Sequence, residues 1–329
     1  MSKPFLLAPM AEITHRAFRE LIEGFGGCDR YFSEMISASA LIANGPLEKW
    51  YIDTGPVPEK LVFQIVGSDS DKIAQAAAIL EKLECAGIDI NMGCSAPIIR
   101  KKGAGAAWMA NINRAGELIS RVRPVVKSCL SVKLRIGYKD DFDYLVRFCR
   151  RLEAEGTELI TLHPRTVMEK FKRLARWEYV GALRQELKIP VAGNGDIASA
   201  EHLVRRAVGP CDAVMVGRAA VRHPWIFAEA RALSPASSSV PKDQALSPDL
   251  SSVPNLEDTG LKFLELLTRY QPPEFYVSRA LRFFGFFCDN LKWGNYLKIQ
   301  LNREKTLSGI EKVWREYFIN EEKSAYPKT

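Results

Sequence analysis

Eight short apolar segments recur along the first two thirds of the chain: "FLLAPM", "YFSEMI", "LVFQIVG", "GIDINMG", "SVKLRIG", "ELITLHPR", "KIPVAGNGD" and "DAVMVGR". Each reads as a strand. Most gaps between them hold apolar residues at helical spacing, as in "SDSDKIAQAAAILEKLECAG", with Ser68 or Asp69 as N-cap and Gly87 at the exit. Strand and helix therefore alternate, and eight such units fit an α/β fold of the (β/α)8 TIM-barrel type. A doubly wound sheet rarely needs eight parallel strands and usually carries a glycine-rich first turn. No GxGxxG follows the first strand here.

At 329 residues and 47% hydrophobic, the chain can bury a large core and has length left over after the barrel. Residues 233–258, "LSPASSSVPKDQALSPDLSSVPNLED", are dominated by serine, proline and small polar groups and read as a flexible linker. Beyond them "LKFLELLTRY", "YVSRALRFFGFFCDNL" and "REKTLSGIEKVWREYF" are helical in period, separated by "QPPE" and "KWGNYL". The expected organisation is a barrel over 1–232, the linker, and a small all-helical domain over 259–329. The N-terminus shows no signal-peptide pattern, and no apolar run is long enough to span a bilayer, so a soluble, cytoplasmic protein without a membrane partner is expected. Seven cysteines, an odd number, lack any CxxC or Cys/His spacing that would hold zinc, which points to free thiols and no metal.

In a barrel of this type the reactive groups sit where strands finish, at the C-terminal face. Strand one ends at Pro9, Met10 and Ala11, strand three carries Gln64, and strand four delivers Asn91 and Cys94. Strand five brings Lys133 and Arg135, strand six His163 and Arg165, strand seven "GNGD" (193–196) and strand eight "GR" (217–218). Gly193, Gly195 and Gly217 would let backbone N–H groups approach an oxyanion, and the loops after strands seven and eight are the usual phosphate site of such barrels. Arg218 would add a bidentate charge.

Lys133 points into the barrel, where a cation is costly unless an anion meets it. One partner is a reduced flavin, which gains from a cation at its N1–C2 edge; the other is a carboxylate such as Glu34 or Asp89. His163 could be an ordinary hydrogen-bonded loop histidine, but it lies between Lys133 and Asn194 in strand order. Cys85, Cys129, Cys149 and Cys211 read as small packing residues. Cys94 differs, standing just past its strand, after Gly93 and ahead of Arg100, Lys101 and Lys102. A thiol mostly protonated at neutral pH can give a proton to a developing carbanion.

This strand-end set resembles the tRNA-dihydrouridine synthases, through "LAPMAEITHRAFR", "FQIVGSD", "DINMGCSAP", "VKLRIG", "HPRT", "GNGDI" and "MVGRAAVRHPWIF". The resemblance implies FMN held by Pro9, Met10, Ala11, Gln64, Lys133, His163, Asn194, Gly195, Asp196, Gly217 and Arg218. It implies Cys94 as general acid, Asn91 and Arg165 as holders of the target base, and a C-terminal helical domain that grips tRNA. NADPH or NADH would be the reductant, and no stable protein partner is implied, which suits a monomer. In such a reaction a uracil turned out of the tRNA receives hydride at C6 and a proton from Cys94 at C5. Two positions depart from the family pattern: Ser95 and Ala96 separate Cys94 from Pro97, and Pro164 stands where the histidine loop usually has glycine.

Lysine and arginine exceed aspartate and glutamate by seven, a weak pointer to a polyanion whose distribution matters more than its size. "RTVMEKFKRLARW" carries five basic residues and one acid after strand six, on the face that holds Cys94. "SRALRFFGFFCDNLKWGNYLKIQLNREK" carries six and two, interleaved with aromatics. Phosphate contacts and base stacking suit both, although Phe283, Phe284, Phe286 and Phe287 also read as a core stripe. Two other functions fit part of the pattern: an FMN barrel acting on a free pyrimidine, and a flavoprotein that binds tRNA without reacting.

Overall fold

The computed structural model describes residues 3–234 and 254–322. Eight parallel strands close into a barrel in sequence order: β1 (Phe5–Leu7), β2 (Arg30–Ser37), β3 (Leu61–Val66), β4 (Gly87–Met92), β5 (Cys129–Arg135), β6 (Leu159–His163), β7 (Val191–Asn194) and β8 (Ala213–Val216). Each coincides with one of the eight apolar segments. Closure is made by β1 against β8, with Leu6 opposite Met215. Strands sandwiched between a filled interior and an outer helical ring have no wet face, which is why β3 and β4 are buried along their whole length.

The helices begin where short polar side chains can take up unpaired N–H groups. Asp69, Asn111, Asp141 and Ser199 cap the helices Ser70–Leu80, Ile112–Val122, Phe142–Ala154 and Ala200–Val208. Gly87 is the first residue of β4 rather than a helix exit. A Cβ there would meet the Cys129 carbonyl oxygen at 2.5 Å, so glycine permits the close strand pairing.

Among the described residues from 254 onward there are four α-helices, Leu256–Tyr270, Tyr276–Phe287, Gly294–Leu301 and Leu307–Glu322. The third runs through the stretch read from sequence as a separator, because Leu297 and Leu301 share a buried helical face and Gly294 tucks under Cys288, where a Cβ would collide. Residues 235–253 of the sequence-assigned linker lie outside the described residues, and its last residues are already helical. Phe283, Phe284 and Phe287 are core residues, with Phe263 stacked on Phe283 at a centroid distance of 3.9 Å. Among the described residues no helix is long and apolar enough to cross a membrane.

Candidate active site

The strand register brings the polar strand ends together. Asn91 lies beside Lys133, and Arg135 beside His163, in adjacent strands. At this end of the barrel opens a cavity of about 550 Å³. Its wall contains Pro9, Met10 and Ala11 after β1, Asn91 and Cys94 from β4 and its loop, and Lys133 and Arg135 from β5. His163 and Arg165, then Asn194, Gly195 and Asp196, then Gly217 and Arg218 complete it from the ends of β6, β7 and β8. Three of the four non-glycine residues with positive φ among the described residues, Glu12, Lys170 and Asp196, belong to the loops around this cavity.

Gln64 is the exception among the residues that the resemblance assigns to FMN. It does not form the cavity wall but lies fully buried within the barrel, its Nε2 donating to Asp89 (2.7 Å) and its Oε1 accepting from Asn91 Nδ2 (2.8 Å). Asn91 in turn faces its own loop: its Oδ1 accepts from the backbone N–H groups of Gly93 (3.2 Å) and Cys94 (2.9 Å). The half-buried Cys94 is therefore held by its backbone, and Gly105 packs against it with φ +60°, where a Cβ would come within 2.8 Å of the Cys94 carbonyl oxygen. Ser95 and Ala96 carry the chain to Pro97, the first residue of the short helix Pro97–Lys101.

Arg165 is also committed to the protein. Its Nη2 donates to both carboxylate oxygens of Asp196 (2.6 and 2.7 Å) and its Nη1 donates to His163 Nε2 (2.9 Å). Because arginine only donates, His163 accepts at Nε2 and carries its proton on Nδ1. Burial, followed by the charges of Lys133, Arg135, Arg165 and Arg218, holds the His163 pKa well below its ordinary value, so the ring is neutral near pH 7. Pro164 occupies a tight turn closed by Arg165 N–H donating to the His163 carbonyl (2.7 Å), a three-residue turn whose central φ suits proline.

Lys133 has no carboxylate partner among the described residues. Glu34 pairs with Arg279 (2.9 Å), and Asp89 is bonded to Gln64 and Ser131. Burial, then Arg135, pushes the Lys133 pKa down to about 8. Arg218 likewise has no ion pair among the described residues; its guanidinium lies 4.5 Å from the ring centre of Phe171, an exposed residue of the loop after β6. Two more cavity cations lack a carboxylate partner among the described residues, Arg135, which donates only to backbone carbonyls, and Lys170, so that Lys133 and Arg218 belong to a basic wall of four. Of the three glycines read as an oxyanion cradle, Gly195 and Gly217 line the cavity. Gly193 does not: a Cβ there would overlap the Trp177 ring at 2.2 Å, so it makes room for packing.

The basic stretches divide in the same way. In the loop after β6, Arg176 is tied to Glu169 and Asp140, whereas the Arg173 side chain is 75% exposed and 3.8 Å from Glu169. In the C-terminal stretch, Arg279, Arg282 and Lys298 are spent on Glu34, Glu12 and Asp289. Arg135 was named from sequence without a role; its Nε donates to the Gly93 carbonyl (3.0 Å) and its Nη1 to those of Thr166 and Lys170, tying the Cys94 loop to the loop after β6. Cys129, read as a packing residue, is exposed at the start of β5, while Cys149 and Cys211 are buried and Cys85 is half-buried.

Residues 6–258 match the family model described as Dihydrouridine synthase (Dus). A probable tRNA-dihydrouridine synthase of Aquifex aeolicus is 36% identical over 231 residues, which is 68% of this chain and 71% of that protein. A probable tRNA-dihydrouridine synthase of Rhodobacter capsulatus is 34% identical over 234 residues, 70% of this chain and 71% of the relative. The similarity to tRNA-dihydrouridine synthase B of Pseudomonas aeruginosa is lower, 29%, but runs over 300 residues, 91% of this chain and 87% of the other, and so reaches into the C-terminal helices.

Proposed function

The chain belongs to the dihydrouridine synthase family, and we propose that it is a tRNA-dihydrouridine synthase that uses FMN and NADPH or NADH to saturate the 5,6 double bond of uridines in tRNA. The observation that carries this reading is the presence in one cavity of the Cys94 thiol and of cations that lack carboxylate partners, Lys133 and Arg218 among them. Those cations fit the cofactor: a flat ring needs a charge at its N1–C2 edge, and its phosphate needs a guanidinium near glycine-lined backbone. Gly195 and Gly217 beside Arg218 supply the second requirement. When bound, FMN supplies reducing equivalents from NAD(P)H to C6 of the uracil.

The remaining steps belong to the protein. Lys133 and His163 hold the cofactor's polar edge, and the neutral His163, fixed by Arg165, presents Nδ1–H as a donor. Pro9, Met10 and Ala11 shape the wall opposite, with Asn194, Asp196 and Gly217 completing it. Cys94 gives its thiol proton to C5, and the loop after β6 brings Lys170, Lys172 and Arg173 to the RNA backbone. Asn91 and Arg165 meet the base after exchanging the partners described above. Residues 259–329, beyond the serine-rich linker, grip the tRNA, and the protein works in the cytoplasm as a monomer.

The direct test is incubation of the FMN-loaded protein with NADPH and an unmodified tRNA transcript, followed by mass analysis of the nucleosides. A gain of two hydrogens on uridine, absent without the protein, is expected. Reduction of free uracil with no effect on tRNA would instead favour a free-pyrimidine enzyme. A protein that shifts tRNA on a gel, yet leaves every uridine intact, would favour a binding protein.

A further inference from the structure

A strained turn in the cavity wall is gripped from outside the barrel. Met10 to Ile13 form a β-turn closed by the Ile13 N–H, which donates to the Met10 carbonyl (3.1 Å), and the Thr14 N–H donates to the same oxygen (3.0 Å). Met10 and Ala11, the first two residues of the turn, line the cavity, and the third, Glu12, has a φ of +62°. That is the position at which a type II turn calls for glycine. For a residue with a Cβ the left-handed conformation is disfavoured about five- to thirtyfold, and it persists only where its surroundings impose it. Two arginines on the helix Tyr276–Phe287, three residues apart and so on one face, supply that constraint. Arg279 pairs with Glu34 (2.9 Å), whose Oε1 accepts the Glu12 N–H (2.5 Å) and so fixes which way the Ala11–Glu12 peptide faces. Arg282 takes the Glu12 side chain itself, its Nε (2.9 Å) and Nη2 (2.6 Å) both donating to Oε2.

We infer that Arg282 is a positioning residue for the cofactor site: from the helical layer it grips the Glu12 carboxylate and so holds the turn that sets Met10 and Ala11 into the cavity wall. The grip depends on backbone conformation, because the Cβ of residue 12 points elsewhere once its φ is negative. A pair made in only one of two conformations favours that one. With side chains 54% and 46% exposed, the pair shifts the balance only about two- to fivefold, but it acts on a turn that starts from a deficit. The clamp is independent of the proposed reaction; that FMN is the ligand that feels it rests on that reading.

The test measures FMN affinity by flavin fluorescence, and amide hydrogen exchange at Glu12, Ile13 and Thr14 in the cofactor-free chain. Arg282→Gln should weaken FMN binding about two- to fivefold and speed exchange at the three amides by a similar factor, since the turn then spends more time out of its cofactor-ready form. Glu12→Ala keeps the strain and loses the grip, so it should weaken binding too. A direct effect of charge on the anionic cofactor predicts the opposite sign, tighter binding once the carboxylate is gone. Glu12→Gly removes the strain together with the carboxylate and should bind FMN about fivefold more tightly than Glu12→Ala. On the Glu12→Gly background Arg282→Gln should have no further effect. The difference between wild type and Arg282→Gln should also vanish near about 1 M salt, where an exposed pair is screened. Lys262→Gln, which breaks an exposed pair with Glu265 inside the helix Leu256–Tyr270, serves as the control and should match wild type.

Wild-type FMN affinity in Arg282→Gln, tighter binding in Glu12→Ala, or equal weakening by Arg282→Gln on the Glu12→Gly background would each overturn the assignment. The expected exchange pattern in a chain that takes up no FMN, wild type included, would leave the clamp standing and remove the flavin reading.

Discussion

Cys94 and Lys133 occupy the same cavity but depend on the protein in opposite ways. The thiol acts through its proton, so Cys94→Ala should leave FMN binding and reduction by NADPH intact and slow uridine reduction by about 10²–10⁴-fold, the usual worth of a general acid. Stopped-flow measurement of the two half-reactions checks this, and near-normal turnover on tRNA would remove Cys94 from the chemistry. Cys94→Ser should recover little, since a hydroxyl is a much weaker acid. Lys133 acts through its charge, and its pKa of about 8 gives a pH dependence with a definite sign. Below that value the ammonium is present and ready for an anionic ligand. Above it the free protein has shed the proton that the complex retains, so FMN affinity should fall by up to about tenfold per pH unit. Lys133→Met should bind more weakly at neutral pH and show no such fall between about pH 8 and 9. Flavin fluorescence titrations across that range decide between these outcomes.

The loops that close the cavity differ in how they are held. The Cys94 loop is pinned at Asn91, Gly105 and Arg135, whereas the loop after β6 places Lys170, Lys172 and Arg173 around an exposed Phe171. Replacing those three cations with glutamine should flatten the salt dependence of tRNA binding by up to about three phosphate contacts, with flavin reduction unaffected. An unchanged slope in filter binding at several salt concentrations would make the loop an ordinary solvated surface. These elements were legible in the sequence to different depths. The eight strands were evident because parallel barrel strands are buried on both faces and read as continuous apolar runs. Their polar ends were evident because function collects there. The aim of a mid-strand side chain was not: whether Gln64 faces the cavity or the interior depends on its neighbours Asp89 and Asn91 in space. The packing at Gly193 was not legible for the same reason, since Trp177, the first residue of the helix Trp177–Glu186, is its neighbour only in space. The helix Gly294–Leu301 was missed because a glycine reads as a breaker when it stands in fact at the helix start, under Cys288.

At the scale of the whole molecule, the helices after residue 254 and the barrel share one core among the described residues. Phe263 and Phe283 stack on each other and Phe283 lies 6.2 Å from Phe18 of the barrel helix Arg16–Gly24, while Phe287 meets Trp225. Within this layer Arg279 is 1% exposed, paired with Glu34 in the middle of β2, bonded to Gln271, and flanked by Phe275 and Tyr51. Glu34 also accepts the backbone N–H of Glu12 (2.5 Å), whose φ of +62° lies in the left-handed region directly after the cavity residues Pro9–Ala11. The helical layer thus holds a carboxylate that fixes a cavity loop. Breaking a buried pair by removing one partner strands the other charge, which typically costs about 3–5 kcal/mol, whereas replacing both by neutral side chains of similar volume is often tolerated. Arg279→Met should therefore lower the stability of the FMN-free protein by about that amount, and Arg279→Met/Glu34→Gln should recover most of it, because glutamine still accepts from Glu12. An interface this apolar also predicts one cooperative unfolding transition for barrel and helices together. Urea unfolding followed by both tryptophan fluorescence and far-UV circular dichroism checks both statements. Two separated transitions, or an Arg279→Met protein as stable as wild type, would mean that the helical layer rests on the barrel without helping to shape its cavity.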